Sequence, residues 1–370
     1  MAPVDNIYTR LGIKPMINGQ GTYTTLGGSL MPPEVVQAMA EAAGAFVSIP
    51  ELQEKVGARI ARLLDVPAAM VTAGAASAIT IATVACMTLG DPPAIERLPD
   101  AGGLKNEVVI QKAHLSEYEP QILLAGAKLV WVASRSELDR AITPRTAMMF
   151  FLNYADPLGQ IKRHEWIAVG KERRVPLFID AAADVPPVTR FAEYLHEGFD
   201  LVAFSGGKAI RGPQSSGLLL GRPDLIAAGQ RAISPSMGIG RGMKVGKEEI
   251  VGLLAAVERY VKLDHTAEWR AWETLAAELI DLLASIPGVS VRRDVPEIAN
   301  HSPHVVIEWS QEYCALTAEQ VVRRLRAGDP PIAVLCEGER SLRVSVWTLR
   351  DDEHRIVAAQ LEPLLRGKRP

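Results

Sequence analysis

Short apolar runs, many of them β-branched, recur between Ala69 and Gly221 and are separated by amphipathic or polar stretches. They are AMVT (69–72), VVIQ (108–111), KLVWVA (128–133), AMMFFL (147–152), VPLFID (175–180), LVAFS (201–205) and GLLLG (217–221). Most are continuously apolar instead of alternating. Strands buried on both faces read this way, and the amphipathic stretches between them supply covering helices. The pattern therefore predicts an α/β domain with seven strands. After Gly246, KEEIVGLLAAVERYVKLDHTAEWRAWETLAAELIDLLASI keeps a helical period long enough for a connecting helix and the first helix of a second domain. Beyond it, VSVRRDV, HVVIEWS, a helix near 317–327, PPIAVLCEGERSLRVSVWTL and a final helix alternate as in a small α+β domain. The expected organisation is a segment 1–45 packing on the core or on a dimer partner, a large domain 46–260 and a small domain 261–370.

One apolar stretch could be taken for a membrane span. Val66 to Gly90 is uncharged for long enough, yet it is interrupted by Pro67 and Gly74, is rich in Ala, Thr and Ser, and has no aromatic belt or basic flank. A strand, a turn and a fully buried helix are expected there instead. The N-terminus has no apolar stretch of the secretory kind. The 370 residues are 48% apolar and 22% charged, as in a globular enzyme with more than one core. With 40 Lys and Arg against 43 Asp and Glu, the net charge of −3 argues against nucleic-acid binding. Three cysteines (Cys86, Cys314, Cys336) fall in no metal-ligand spacing, so a reducing, cytoplasmic setting without structural metal is expected.

Chemistry concentrates at three strand ends. VPLFID closes on Asp180. LVAFS closes on Ser205 and is followed by Gly206-Gly207-Lys208, and one crossover separates the two, so both emerge where α/β sheets bind ligands. Upstream, AMVT leads into Gly74-Ala75-Ala76-Ser77 and a helix, a small-residue turn that leaves backbone N–H groups open to a phosphate. A lysine nucleophile, a carboxylate and a phosphate cradle are the requirements of pyridoxal 5′-phosphate. The lysine forms the Schiff base, and the aspartate keeps the pyridine nitrogen protonated so that the ring accepts electrons. Gly206 and Gly207 would admit a close approach of cofactor to chain, and Ser205 would add a hydroxyl to the phosphate. Taken singly, Asp180 fits a helix cap, Gly74–Ser77 tight packing and Lys208 a solvated loop; their joint order and spacing favour the cofactor site. Ser205-x-x-Lys208 also matches the nucleophile motif of penicillin-recognising enzymes, but the Ser-Asp-Asn and Lys-Thr-Gly tripeptides of that class do not occur. GIGRGMK (238–244) has the wrong glycine spacing for a dinucleotide fingerprint.

MINGQGTYTTLGGSLMPPEVVQAM (16–39), VTAGAASAIT (71–80), FIDAAAD (178–184), FSGGKAIRGPQSSGLLLG (204–221) and GRGMKVGKEEI (240–250) together resemble the selenocysteine-synthase-like branch of fold-type I pyridoxal-phosphate enzymes. That branch contains the L-seryl-tRNA selenium transferases and the D-glucosaminate-6-phosphate ammonia-lyases. The resemblance spans nearly the whole chain. It implies a seven-stranded, mostly parallel large domain, a small α+β C-terminal domain and an active site completed in a homodimer or higher homo-oligomer. By the same resemblance Lys208 is the Schiff-base lysine, Asp180 the pyridinium partner, and Gly74, Ala75, Ala76, Ser77 and Ser205 the phosphate site. His114, in QKAHLSEY, takes the place of a group over the cofactor ring and would deliver a proton. Thr24, Gly28 and Ser29 match a segment lining the substrate side. Arg343 takes the place of an arginine that clamps the substrate carboxylate, with an exposed strand arginine as the alternative. Arg241, Lys244 and Lys247 form a basic loop that meets an anion or faces solvent.

For the reaction, the expectation is a lyase: β-elimination from a β-hydroxy or otherwise β-substituted amino acid, giving a 2-oxo acid and ammonia. Racemisation or retro-aldol cleavage is the alternative. Selenium or sulfur transfer is disfavoured by the negative charge and by how soon the chain enters its catalytic motif. The expected partner is a small amino-acid substrate, with neither nucleic acid nor membrane.

Overall fold

The computed structural model describes residues 6–366, and every one of the seven apolar runs is a strand in it. These are β1 (Ala69–Thr72), β2 (Glu107–Gln111), β3 (Lys128–Val132), β4 (Thr146–Leu152), β5 (Leu177–Asp180), β6 (Leu201–Ser205) and β7 (Gly217–Gly221). They form one sheet in the order β1-β7-β6-β5-β4-β2-β3. β7 is antiparallel to both its neighbours, and all other pairs are parallel. The continuous apolarity has the expected cause: Phe150, Phe151, Phe178 and Phe204 are all buried between covering helices.

Register decides what meets at the edge of the sheet. Thr72 pairs with Gly217, Gly217 with Ser205, and Ala203 with Asp180. The ends of β1, β6 and β5 and the start of β7 therefore share one edge. The apolar stretch after β1 is the helix Ala75–Thr88, buried from Ser77 onward. It is hydrophobic all round because it lies inside the domain, and among the described residues no helix is long and apolar enough to cross a membrane.

The chain divides into two units. The large one is Ser29–Leu263 with Ile298–Asn300. The small one gathers the described residues up to Gly28, Asp264–Glu297 and those from His301 onward. The segment expected as 1–45 is thus split at Gly28/Ser29. Its first part is held by backbone pairing within the small unit: Ile17–Asn18 runs parallel to Ile332–Ala333, and Gly19 O accepts from Ser345 N at 2.8 Å. Its second part forms the helix Pro33–Ala43, which packs on Lys247–Tyr260 in the large unit, with Arg259 and Glu34 paired at 2.8 Å. The small unit carries a four-stranded antiparallel sheet of β8 (Val289–Asp294), β9 (His304–Trp309), β10 (Leu335–Gly338) and β11 (Ser341–Ser345), in the order β10-β11-β9-β8. The helices His265–Ala284 and Glu353–Leu365 bury Leu279, Leu283 and Leu361 in the same core as Val305, Ile307, Leu342 and Val344 of the sheet.

Candidate active site

The turn after β6 is fixed by its own backbone. Gly206 N donates to Ser216 O at 2.9 Å, Gly212 N to Gly206 O at 2.8 Å and Arg211 N to Lys208 O at 2.9 Å. The two glycines are required by this folding-back. A Cβ on Gly206 would stand 2.2 Å from Ser216 Oγ, and one on Gly207 2.7 Å from Gln214 Cα. They admit residues 214–216 of the same chain, a nearer steric reason than the expected approach of a cofactor. Ser29 clamps the turn from the other side, its N–H and its hydroxyl both donating to Gly207 O at 2.9 Å. Arg211, left-handed at φ 58°, donates from Nε to Leu30 O at 2.9 Å.

Within this frame Lys208 and Asp180 are brought together. Asp180 is 5% exposed, and burial pushes its carboxyl up to about 6. The Ala182 N–H, donating to Oδ1 at 2.9 Å, and the charge of Lys208 oppose that rise, while Asp184 adds to it. Burial lowers the Lys208 amine below its ordinary value, and Asp180 and Asp184 together pull it back up. A half-buried amine under the charge of buried carboxylates is the arrangement that readies a lysine for nucleophilic and base chemistry.

The turn from β1 supplies the third component. Gly74 sits at φ 96°, where a side chain would be strained, and caps Ala75–Thr88 without any side-chain partner. Ser77 Oγ, in the first turn of that helix, is buried with no hydrogen-bond partner. An orphaned buried hydroxyl beside an open helix N-terminus fits a phosphate group. Ser205 stands two strands away across Gly217, on the same sheet edge. Lys208, Asp180 and the Gly74–Ser77 turn thus fit pyridoxal phosphate in charge, burial and donor set.

Other expected residues occupy different situations. His114 is fully buried, with its ring edge on Phe151 at 4.5 Å. Its Nδ1 accepts from Leu152 N at 3.2 Å, and Nε2 lies 3.2 Å from the Gln111 amide. Burial, with the Lys162 charge, lowers it to about 4, so the imidazole is neutral near pH 7 and is poorly placed to deliver a proton. Arg343 belongs to the small unit, where Nε and Nη2 both donate to the Glu337 carboxylate and Nη1 donates to Asp294 Oδ2 at 2.6 Å. A clamp for a substrate carboxylate needs a free fork, and this one is already neutralised. Thr24 opens a 3-10 turn of the small unit and Gly28 follows it, its N–H donating to Tyr23 O at 3.1 Å. Arg241 is exposed and donates to Ser234 Oγ at 3.2 Å. Lys247 is committed to Ala42 O at 2.5 Å and Glu248 at 2.7 Å, which leaves Lys244 as the exposed lysine of that loop.

A buried network that sequence reasoning did not single out adjoins the pair. Asp184 Oδ2 accepts from Asn153 Nδ2 at 2.6 Å and from the Tyr194 hydroxyl at 2.8 Å. Asn153 Oδ1 accepts from Arg163 at 2.9 Å. Asp184 lies inside the FIDAAAD motif, so the one available signal was a second acid four residues after Asp180.

No protein-family model matches the chain. It is 32% identical to the D-glucosaminate-6-phosphate ammonia lyase of Salmonella typhimurium, over 88% of each sequence. It is 33% identical to a 5′-C-glycyluridine monooxygenase-decarboxylase of a Streptomyces species, over 97% of this chain and 92% of that one. The solved structure of a D-glucosaminate-6-phosphate ammonia-lyase superposes with a TM-score of 0.84 at 31% identity, covering 98% of both chains.

Proposed function

This chain belongs to the ammonia-lyase family of pyridoxal-phosphate-dependent fold-type I enzymes, and from that premise we propose that it carries out β-elimination on a β-hydroxy-α-amino acid, releasing a 2-oxo acid and ammonia. The observation that carries the reading is half-buried Lys208 just past the end of β6, which pairs with the strand that ends in buried Asp180, in a chain so similar to an ammonia lyase. Both relatives' names describe an amino-acid unit borne on a sugar-derived carbon chain, so we take a polyhydroxylated β-hydroxy-α-amino acid as the substrate class.

Pyridoxal phosphate, held at this site, would supply the electron sink that makes the Cα proton acidic. Lys208 is the group that would hold it covalently, and its free amine is the base that would take the Cα proton onto Nζ. Asp180 would keep a proton on the ring nitrogen, a task suited to a buried carboxylate. The Gly74–Ser77 turn holds the phosphate with backbone N–H groups and the Ser77 hydroxyl. The leaving hydroxyl departs as water on taking the proton back from Lys208. That water is returned when the product imine hydrolyses, so the net products are one 2-oxo acid and one ammonia. A second copy of this chain is the partner we propose, because the loop between Pro33–Ala43 and Ile49–Leu64 presents Phe46 fully exposed beside Val47.

The Streptomyces relative supports a second reading, oxygen-dependent decarboxylation of the same substrate class. Phosphorylated and unphosphorylated amino-sugar acids, incubated with and without dioxygen, separate the two. The first reading expects 2-oxo acid and ammonia in equal amounts, unaffected by dioxygen. Carbon dioxide formed only in air would establish the second, while inverted substrate or a cleaved aldehyde would make the enzyme a racemase or an aldolase. Borohydride reduction of the yellow holoprotein should fix the cofactor to Lys208.

A further inference from the structure

We infer that Asp184 is a positioning residue of the lysine site: with Asp180 it sets two carboxylates against the Lys208 amine, and Tyr194 and Asn153 hold it in place. The inference rests on the reading of Lys208 as the reactive amine. Both carboxylates come from one turn, Asp180–Asp184, lashed to the neighbouring strand. Ala181 N donates to Ala203 O at 3.0 Å, Ser205 N to Ala182 O at 3.2 Å, and Asp184 N to Ala181 O at 3.1 Å. The turn therefore runs alongside the end of β6, three residues before the lysine.

Asp184 is 4% exposed, and such a carboxylate needs donors. It has the amide of Asn153 at 2.6 Å and the hydroxyl of Tyr194 at 2.8 Å. Those two groups are themselves fixed: Asn153 Nδ2 reaches the Tyr194 hydroxyl at 2.9 Å, and Asn153 Oδ1 takes Arg163 Nη1 at 2.9 Å. Arg163 and Arg190 stand over the Tyr194 ring at 5.4 and 5.9 Å. The electrostatic surroundings are consistent with this. The charges of Asp180 and Asp184 both raise the Lys208 amine; Lys208 and Arg190 lower the Asp184 carboxyl, as do its two donors; Lys208 lowers Asp180 while Asp184 raises it, and Asp180 raises the Tyr118 phenol. Burial raises the Asp184 carboxyl, and the donors and cations around it oppose that rise.

The chemical use follows from the division of labour. Asp180 would be committed to the ring nitrogen of a bound cofactor, so a second anion is needed if the free amine is to accept a proton in a half-buried site. With Asp184 beside it, Lys208 takes the Cα proton onto Nζ and keeps it until the Cβ–O bond breaks. The C–H electron pair then becomes the Cα=Cβ bond, and the proton leaves with the hydroxide as water. Without Asp184 the amine is a weaker base.

Competitive acylation of the full-length, cofactor-free chain tests this, with the labelling of Lys208 followed by mass spectrometry across pH and normalised to its high-pH plateau. Asp184→Asn should increase labelling of Lys208 at pH 7 roughly tenfold, because losing an opposite charge leaves more of the amine neutral. Tyr194→Phe should move it the same way by less, and Asp184→Glu should restore the native profile. Unchanged or reduced labelling in Asp184→Asn, or in Tyr194→Phe if the first variant does not fold, overturns the inference. Borohydride reduction of the native holoprotein is the separate arm: failure to fix pyridoxal phosphate on Lys208 overturns the assignment of the site itself, whatever the labelling shows.

Discussion

Replacing Gly217 by alanine tests the phosphate cradle without substituting any residue assigned to it. Gly217 opens β7, between the ends of β1 and β6. A Cβ there would lie 2.6 Å from the Gly74 carbonyl carbon, 2.8 Å from Ala75 N and 2.9 Å from Gly74 O. Ordinary contact starts at 3.4 Å, so the Gly74–Ala75 backbone must shift by about 0.8 Å. Backbone cannot swing aside as a side-chain tip can, so an overpacking cost of about 1–3 kcal/mol is expected. The shift also misaligns the N–H groups offered to the phosphate. Loss of one charge-assisted bond is worth about 1.5–3 kcal/mol, which weakens pyridoxal-phosphate binding by roughly ten- to a hundredfold. The assay is a cofactor titration by absorbance alongside a thermal melt, with Gly126→Ala as control. The control's Cβ would meet Pro99 O at 2.1 Å, ahead of β3 and at the other end of the parallel strands. Both variants should melt lower, and only Gly217→Ala should lose cofactor affinity. If the two lose stability alike and bind the cofactor with native affinity, the Gly74–Ser77 turn is not the phosphate site.

Three further outcomes follow from the same geometry. Burial raises Asp180 to about 6, so the folded chain keeps a proton that the unfolded chain sheds near pH 4. Stability of the cofactor-free protein should therefore fall as pH rises through that window, by on the order of 2–3 kcal/mol once complete, and Asp180→Asn should flatten the dependence; equal pH slopes in urea melts of the two proteins would contradict it. Ser29→Ala removes one of two donors on Gly207 O, worth about 1 kcal/mol, and should lower kcat several-fold while the cofactor still binds and Ser29→Thr restores activity. A change in KM alone would make Ser29 a substrate contact instead. Arg343→Ala should destabilise the protein by about 1 kcal/mol, since its partially exposed carboxylate partners are well screened, and leave kcat/KM within about threefold. A tenfold or greater fall in kcat/KM with an unchanged melt would show that Arg343 clamps the substrate.

Much of this protein is legible in its sequence because the relevant physics is local. A strand buried on both faces needs an unbroken apolar run, so all seven strands could be read from the apolar runs along the chain. Lys208, Asp180 and the Gly74–Ser77 turn could be read because each directly follows a strand or ends one, and strand ends are where an α/β sheet exposes its chemistry. What the sequence could not carry depends on which segments lie side by side. The reason for Gly206 and Gly207 is the return of residues 214–216, visible only once the turn is closed. His114 follows a strand like the others, but packing around Phe151 buries it and removes its proton at neutral pH. Arg343 reads as a free cation until Glu337 arrives from the adjacent strand and Asp294 from the strand beyond β9. Asp184 acquires its partners from positions 153 and 194, and nothing local announces that a strand end and a helix face will converge on one carboxylate. Periodicity and turn chemistry are properties of neighbours in the chain, whereas burial, pairing and the charge state of a group are set by neighbours in space, which strand order and register decide.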